Sequence, residues 1–300
     1  QNINAPYLLS PTRVTEQTIW LNTGAPMPLL GLGTFRLRDE EAVRLSLDAA
    51  LENGYRLVDT AAVYGNEATI GRALSELLPR HGLTRADIFL TSKLSPRDHG
   101  EELAEAACLR SLKKLGCDYL DLYLIHWPGT QGRPQEDAGN RERRRQSWRA
   151  LERLHAAGKL RAIGVSNYTI QHLKELLAEC WVPPAVLQVE FHPELPQLAL
   201  LDFCHQKGIH LQAYSSLGAG HLVGQPEVAQ VAKRQRRQPA QVLLRWALQQ
   251  GVSVIPKSAS PRRVAENGQL WTWELSQTDM EELSTMDCGK HYCWDPSGVA

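Results

Sequence analysis

The sequence predicts one α/β domain folded as a (β/α)8 TIM barrel, with a hairpin before it and an extra helix after it. Eight short apolar runs alternate with segments of helical hydrophobic spacing, and the length of 300 residues suits one such barrel. The runner-up is an open doubly wound sheet, which normally carries a glycine-rich dinucleotide turn after its first strand. Neither Gly31-Leu32-Gly33 nor the glycines at 218, 220 and 224 have that spacing, and the sequence therefore favours the barrel.

The predicted strands are runs of aliphatic side chains at 29–33, 56–59, 88–92, 120–125, 162–165, 186–190, 209–213 and 252–255. Helical spacing predicts helices at 38–53, 66–78, 100–115, 141–157, 169–179, 194–207, 227–236, 240–250 and 261–270. Asn66 is expected to cap the second helix, and Asn53-Gly54 to end the first.

Two further elements, a hairpin and a helix, are predicted outside the barrel itself. Residues 19–27, with turn signals at Asn22-Thr23-Gly24, predict a hairpin that closes the N-terminal end of the barrel. Residues 276–286, capped by Ser276 with Asp279 three positions on, predict the extra helix. We therefore expect a flexible N-terminal tail at 1–18 and a single barrel domain at 19–300.

Composition excludes several classes of protein. The formal net charge is zero, which argues against a nucleic-acid or anionic-membrane partner. No apolar run approaches the roughly 20 residues of a membrane span, and residues 1–17 lack the layout of a signal peptide. A cytoplasmic location is expected, although a start at Gln leaves a removed targeting segment open. Six cysteines without a CxxC pair predict reduced thiols, with a Cys288–Cys293 bridge left open.

Four polar side chains come at or just past the ends of neighbouring predicted strands. Asp59 ends the second strand and Tyr64 follows in its loop, while Lys93 and His126 end the third and fourth. Because barrel active sites lie where strands end, these groups are expected to meet at one rim. A phenol beside a cation can give up a proton, and Asp59 can hold Lys93 charged and oriented. His126 can then donate a hydrogen bond to a carbonyl oxygen, and the pattern predicts carbonyl reduction.

Some of these residues, taken singly, have other interpretations. His126 alone suits a packed core histidine or a zinc ligand, but His192, His205 and His210 form no zinc motif with it. We therefore predict no metal. The arginine-rich stretch 129–145 suits the solvated start of a helix better than an anion site, and whether it closes over the active site is left open.

With these residues in place, the chain resembles an aldo-keto reductase over roughly residues 19–290. The resemblance is carried by Gly31–Thr34, Asp59–Glu67, Thr91-Ser92-Lys93, Ile125–Pro128, Gly164–Tyr168, Gln188–Glu190, Ala213–Ser215 and Ile255–Ser258 with Arg263, Glu266 and Asn267. It implies NADPH bound at the barrel rim, with a hydride passing to the carbonyl carbon while Tyr64 protonates the oxygen. It also implies a catalytic tetrad of Asp59, Tyr64, Lys93 and His126.

The resemblance also implies roles for the cofactor-binding residues. Tyr214 is expected to stack on the nicotinamide, and Ser166, Asn167 and Gln188 to hold its carboxamide. Thr34 and Asp59 are expected near the nicotinamide ribose. Lys257, Ser258 and Arg263 are expected to take the 2′-phosphate, for which their charge and hydrogen-bonding capacity are suited. Glu266 and Asn267 are expected at the adenine end, and further cofactor contacts from Ser215 and Leu217.

The substrate pocket is expected to be formed by Phe35, Val63, Trp127 and Trp294. Many relatives have Trp where this chain has Phe35 and Ser95, and a longer loop where only 218–225 intervenes, so an open site that accepts varied aldehydes is expected. The main interpretation is a monomeric NADPH-dependent reductase of small carbonyl compounds. The alternative is a non-catalytic NADPH-binding regulatory or structural protein of the same fold, which would not require all four tetrad groups. A metal-dependent barrel isomerase would need carboxylates at several strand ends, and the pattern does not supply them.

Overall fold

The computed structural model describes residues 17–300. The predicted tail at 1–18 therefore lies outside the described residues except for its last two positions, of which Thr18 already belongs to the first strand. The hairpin is confirmed: β1 (Thr18–Trp20) pairs antiparallel with β2 (Pro26–Pro28). It places Leu21 and Met27 in a small apolar cluster with Leu57 and Phe89, which closes one end of the barrel.

The eight barrel strands follow in chain order as β3 (Leu32–Gly33), β4 (Leu57–Asp59), β5 (Phe89–Leu94), β6 (Leu120–Ile125), β7 (Leu160–Ser166), β8 (Val186–Glu190), β9 (His210–Tyr214) and β10 (Ser253–Val254). The helices are α1 (Glu40–Glu52), α2 (Glu67–Arg80), α3 (Glu101–Leu115), α4 (Gly139–Ala156), α5 (Ile170–Glu179), α6 (Leu198–Gln206), α7 (Pro226–Gln235), α8 (Pro239–Leu248), α9 (Pro261–Asn267) and α10 (Gln277–Ser284). The predicted alternation is thus confirmed.

Every neighbouring pair from β3 to β10 is parallel and in sequence order. The first and last strands then meet, because Leu30 bridges Val254 and the Val254 amide donates to the Leu29 carbonyl at 2.9 Å. Parallel strands that close on themselves with helices outside form the (β/α)8 architecture. All eight strands therefore end at the same rim.

Helix ends follow the predicted capping chemistry in most places. Ser276 and Asp279 form a reciprocal capping box at the start of α10. The prediction for Asn66 is wrong in mechanism: it precedes α2, but its buried side chain makes no cap hydrogen bond. Its amide instead donates to the carbonyls of Thr34 and Leu37, at 3.0 and 2.8 Å. Asn66 therefore joins two rim loops.

The sixth helix begins later than predicted. The expected start at 194 moves to Leu198, since Pro196 disfavours helical backbone at the preceding residue and Gln197 has φ of 42°. The stretch 129–145 is also only partly a solvated helix start. Residues from Gly139 belong to α4, and the Arg144 guanidinium is buried and paired with Glu175 at 2.8 Å.

Within residues 17–300, no helix is long and apolar enough to cross a bilayer. All six cysteines lie in this part of the chain and are free, so Cys288 and Cys293 are not bridged.

Candidate active site

Three neighbouring strands deliver the tetrad residues to one rim. Asp59 is the last residue of β4, Lys93 lies in β5, and His126 follows β6 directly. Tyr64 ends a short 3-10 turn, Ala62–Tyr64, that leads from β4 towards α2. The following residue, Gly65, has φ of 68°, a left-handed conformation that glycine adopts without strain. Glycine therefore lets the chain leave the turn directly after Tyr64 without backbone strain.

Lys93 is the centre of this constellation. Its ammonium donates to Asp59 Oδ1 at 2.6 Å, to the Thr60 carbonyl at 3.0 Å and to the Tyr64 hydroxyl at 3.2 Å. The side chain is fully buried, with 0% exposed, and these three acceptors match the three protons of an ammonium. A buried charge is tolerated when it is paired and hydrogen-bonded in this way.

The pKa values of the pair follow from this geometry. Burial by itself would lower the pKa of Lys93, but the Asp59 carboxylate and the hydrogen bonds to Asp59 and Tyr64 outweigh it, so the pKa is raised. Burial raises the pKa of Tyr64, and the positive charge of Lys93 opposes that rise. Lys93 is therefore charged and Tyr64 carries its proton at neutral pH.

His126 lies beside the tyrosine as a neutral imidazole. Its ring centroid is 5.8 Å from that of Tyr64, in an edge-on arrangement. Burial lowers its pKa well below the ordinary value, and the charge of Lys93 lowers it further. Its Nδ1 is buried and has no hydrogen-bond partner among residues 17–300. A neutral imidazole can donate one hydrogen bond without adding charge to the site.

The residues expected around the nicotinamide lie in one hydrogen-bonded layer. Gln188 Nε2 donates to Asp59 Oδ2 and to Gln212 Oε1, both at 2.8 Å. Ser166 Oγ donates to the Gln188 carbonyl and Thr34 Oγ1 to the Asp59 carbonyl, each also at 2.8 Å. The second oxygen of Asp59 is thus satisfied, and four strands are tied together beneath the rim.

Asn167 and Tyr214 extend this layer. The Asn167 backbone is left-handed, with φ of 61°, and its amide donates to the His126 carbonyl at 3.0 Å. The Tyr214 hydroxyl donates to Asn167 Oδ1 at 2.6 Å. Ser215, also left-handed at φ of 52°, and the half-buried Leu217 begin the loop that follows β9.

The expected 2′-phosphate residues lie before and within α9. Lys257 and Arg263 are exposed, and neither forms an ion pair with a carboxylate in the described part of the chain. Ser258 Oγ accepts the Ser260 amide at 3.1 Å. At the expected adenine end, Asn267 is buried and Glu266 is paired with Arg262 at 2.8 Å.

Aromatic side chains surround the opening above Tyr64. Phe35 packs against Tyr64 with ring centroids 5.2 Å apart. The Phe35 side chain is 53% exposed, and the neighbouring Val63 is 44% exposed. On the other side, the rings of Trp127 and Trp294 lie 4.5 Å apart. A cavity of about 350 Å³ continues from this pair along the loop 129–135. The polar stretch after β6 therefore lines one cavity together with Trp127 and Trp294.

Sequence reasoning missed several groups that support the tetrad. Ser92 Oγ donates to the buried Glu67 at 2.6 Å, which ties the start of α2 to β5. Gln212 orients Gln188, and Glu190 binds the backbone of the C-terminal segment. The only local signal for the roles of Glu190 and Gln212 is a polar side chain inside a buried strand.

Known proteins are similar to this chain over most of its length. Residues 29–287 match the Aldo/keto reductase family. Glyoxal reductase of Bacillus subtilis is 43% identical over 272 residues, which cover 91% of this chain and 93% of that protein. An aldo-keto reductase from a Medee basin deep-sea metagenome library has a TM-score of 0.84 at 36% identity, over 94% of this chain and 99% of the other.

A Bombyx mori aldo-keto reductase was crystallised in complex with NADP. Its structure gives a TM-score of 0.84 at 30% identity and covers 92% of this chain and 94% of its own. The family match spans the tetrad residues and the basic residues Lys257 and Arg263, before and within α9. This chain belongs to the aldo/keto reductase family.

Proposed function

We propose that this oxidoreductase uses NADPH to reduce aldehydes and ketones to alcohols, with Tyr64 as the general acid. The observation that carries the proposal is the position of the Lys93 ammonium, which contacts Asp59 at 2.6 Å and the Tyr64 hydroxyl at 3.2 Å. A buried cation beside a phenol stabilises the phenolate that remains after proton transfer.

Each tetrad residue has a separate task in this mechanism. His126, neutral because of burial, donates a hydrogen bond to the substrate carbonyl oxygen and directs it towards Tyr64. Tyr64 transfers its proton to that oxygen, and Lys93 stabilises the phenolate. Asp59 keeps Lys93 charged and fixed. When bound, NADPH would supply the hydride for the carbonyl carbon, and this hydride with the proton from Tyr64 would give the alcohol.

The chain's residues fit a phosphorylated nicotinamide cofactor. Lys257 and Arg263 are cations without a described carboxylate partner, as a 2′-phosphate site requires. Two polar atoms near the rim, Ser216 Oγ and Gln212 Nε2, are buried without a partner among the described residues. Such groups are normally satisfied, so they support a ligand at this rim. Ser166, Asn167, Gln188 and Tyr214 would hold the nicotinamide, and Glu266 and Asn267 the adenine end.

The remaining cofactor and pocket assignments stay predictions. Thr34, Ser215, Leu217 and Ser258 are proposed to complete the cofactor site, and Phe35, Val63, Trp127 and Trp294 the substrate pocket. A monomeric state and a cytoplasmic location are also proposed. Bacillus subtilis glyoxal reductase supports small carbonyl compounds as the substrate class.

The test is NADPH oxidation with 4-nitrobenzaldehyde and with 9,10-phenanthrenequinone, together with NADPH binding measured by fluorescence. Turnover of either compound with tight binding supports the reductase. Tight binding without turnover of any carbonyl compound would favour the alternative, a non-catalytic NADPH-binding regulatory or structural protein.

A further inference from the structure

A buried carboxylate at the end of β8 holds the C-terminal segment against the rim. The segment 287–300, here called the C-terminal strap, follows α10 and its connecting turn. Glu190 Oε1 accepts the backbone N–H of Tyr292 at 2.7 Å, and Glu190 Oε2 accepts that of Cys293 at 3.1 Å. Both oxygens of one carboxylate therefore bind consecutive amides of the strap.

The tetrad does not use Glu190, although it is as deeply buried as Asp59. It is 3% exposed, and the His192 ring nitrogen Nε2 lies 2.9 Å from its Oε1. Burial would raise the pKa of Glu190, but the hydrogen bonds from His192 and from the two strap amides outweigh it and the pKa is lowered. The carboxylate is thus ionised, and charge-assisted hydrogen bonds of this kind are among the stronger ones in proteins.

A second carboxylate reinforces the same contact. The Tyr292 hydroxyl donates to Glu194 Oε2 at 2.7 Å, and the Glu194 carbonyl accepts the Lys290 amide at 3.1 Å. The Tyr292 ring also stacks on His221, with centroids 5.1 Å apart. The strap is therefore fixed on both sides of Tyr292.

Trp294 is the strap residue that reaches the substrate opening. Trp294 follows Cys293 directly, and its ring packs on Trp127, which follows the tetrad residue His126 in sequence. The position of the Trp294 ring therefore depends on the backbone that Glu190 holds. Both indoles also line the cavity of about 350 Å³ that continues along the loop 129–135.

We propose that Glu190 is a positioning residue for substrate selection: through the amides of Tyr292 and Cys293 it fixes Trp294 against Trp127, and this aromatic wall favours planar aromatic carbonyl substrates. Short aliphatic carbonyl compounds reach Tyr64 without touching the wall and gain nothing from it. The inference rests on the proposed function, which it extends to a substrate preference.

The first test replaces Glu190 with Gln. The amide keeps one acceptor oxygen, but its NH2 group cannot accept the second strap N–H. We expect kcat/KM for 4-nitrobenzaldehyde to fall about ten-fold, mainly through KM, as the loss of one hydrogen bond to a charged group predicts. The kcat/KM for methylglyoxal and the Kd for NADPH should stay within about two-fold.

The chain offers a matched control in Glu152. It is also 3% exposed, and its Oε1 accepts the consecutive amides of Trp181 and Val182 at 2.6 and 2.9 Å, in the loop that precedes β8 at the opposite end of the barrel. Glu152→Gln can keep both amide bonds through its one remaining oxygen, but it loses the ion pair between Oε2 and Arg149 at 3.3 Å. It should therefore lower the Tm without changing the ratio of the two kcat/KM values. An equal change of that ratio in both variants would mean that Glu190 acts only through stability.

Two further measurements test the role of Glu190 independently of whether the proposed function is correct. Trp294→Ala should reproduce the selectivity change, and adding Glu190→Gln to it should change the ratio by less than about two-fold, because both act through one contact. Amide hydrogen exchange should be at least about ten-fold faster in the strap of Glu190→Gln but not of Glu152→Gln.

Unchanged strap exchange, or additive effects of the two substitutions, would overturn the role of Glu190 even in an active reductase. If the wild type turned over no carbonyl compound, the proposed function would fail instead, and the selectivity claim with it. The exchange experiment would still report whether Glu190 holds the strap.

Discussion

Replacing Tyr64 with Phe removes one hydroxyl group from the rim and leaves its neighbours in place. Lys93 loses its 3.2 Å contact but keeps Asp59 Oδ1 at 2.6 Å and the Thr60 carbonyl at 3.0 Å. The free energy of unfolding should therefore fall by about 1 to 3 kcal/mol, the cost of leaving one N–H of the buried ammonium without its partner. The Phe ring retains the packing against Phe35, so the opening keeps its shape.

The expected loss in catalysis is larger. A positioned general acid contributes typically about 10²- to 10⁴-fold, so kcat should fall about 10³-fold, which is about 4 kcal/mol of transition-state stabilisation. The assay is NADPH oxidation with 4-nitrobenzaldehyde, with NADPH Kd measured separately by fluorescence and expected within about two-fold of wild type.

Tyr119→Phe serves as the control. Its ring lies between the guanidinium groups of Arg85 and Arg161, 4.2 and 3.9 Å away, just before β6 begins and therefore at the opposite end of the barrel. It should keep kcat within about two-fold. Retention of more than a tenth of wild-type kcat by Tyr64→Phe would refute the assignment of Tyr64 as the acid.

Three further predictions follow from the same geometry. Lys93→Met should abolish most turnover and lower the free energy of unfolding by about 3 kcal/mol, because the buried Asp59 carboxylate loses its cation. Adding Asp59→Asn to this variant should recover stability, measured by urea unfolding, but not activity. Arg263→Ala should raise KM for NADPH about ten-fold and leave KM for NADH unchanged, since only NADPH carries the 2′-phosphate; equal effects on both would contradict that role. In a pH profile, kcat/KM should show no break near the ordinary histidine pKa of about 6.5, because burial keeps His126 neutral at and above that pH. It should fall only in the alkaline range, as pH rises through the raised pKa of Tyr64. A break near pH 6.5 that is absent from His126→Gln would show that His126 titrates.

The barrel and its rim were predictable because they depend on local patterns. Strand-like runs and helical spacing fix which residues are in the sheet, and parallel strands must end at one rim. Asp59, Lys93 and His126 each lie at or near a strand end, so their meeting follows from the topology alone. The start of α6 was missed because Pro196 and the left-handed Gln197 override helical spacing.

The supporting contacts were not predictable for a different physical reason. Asn66 has the composition of a helix cap, but its amide finds better partners in the carbonyls of Thr34 and Leu37, far away in sequence. The hydrogen bond that the Tyr292 N–H donates to Glu190 likewise joins positions that only the closed barrel brings together. Propensity is a local property and contains no information about such pairs.

The most direct test of hydride transfer to a carbonyl uses NADPH deuterated at the transferable C4 position, with 4-nitrobenzaldehyde as acceptor and mass spectrometry of the product. The proposed function predicts an alcohol that carries one deuterium at the carbinol carbon, formed by the wild type and almost lost in Tyr64→Phe. Tight binding of the labelled cofactor with no deuterated alcohol from any carbonyl compound would contradict it.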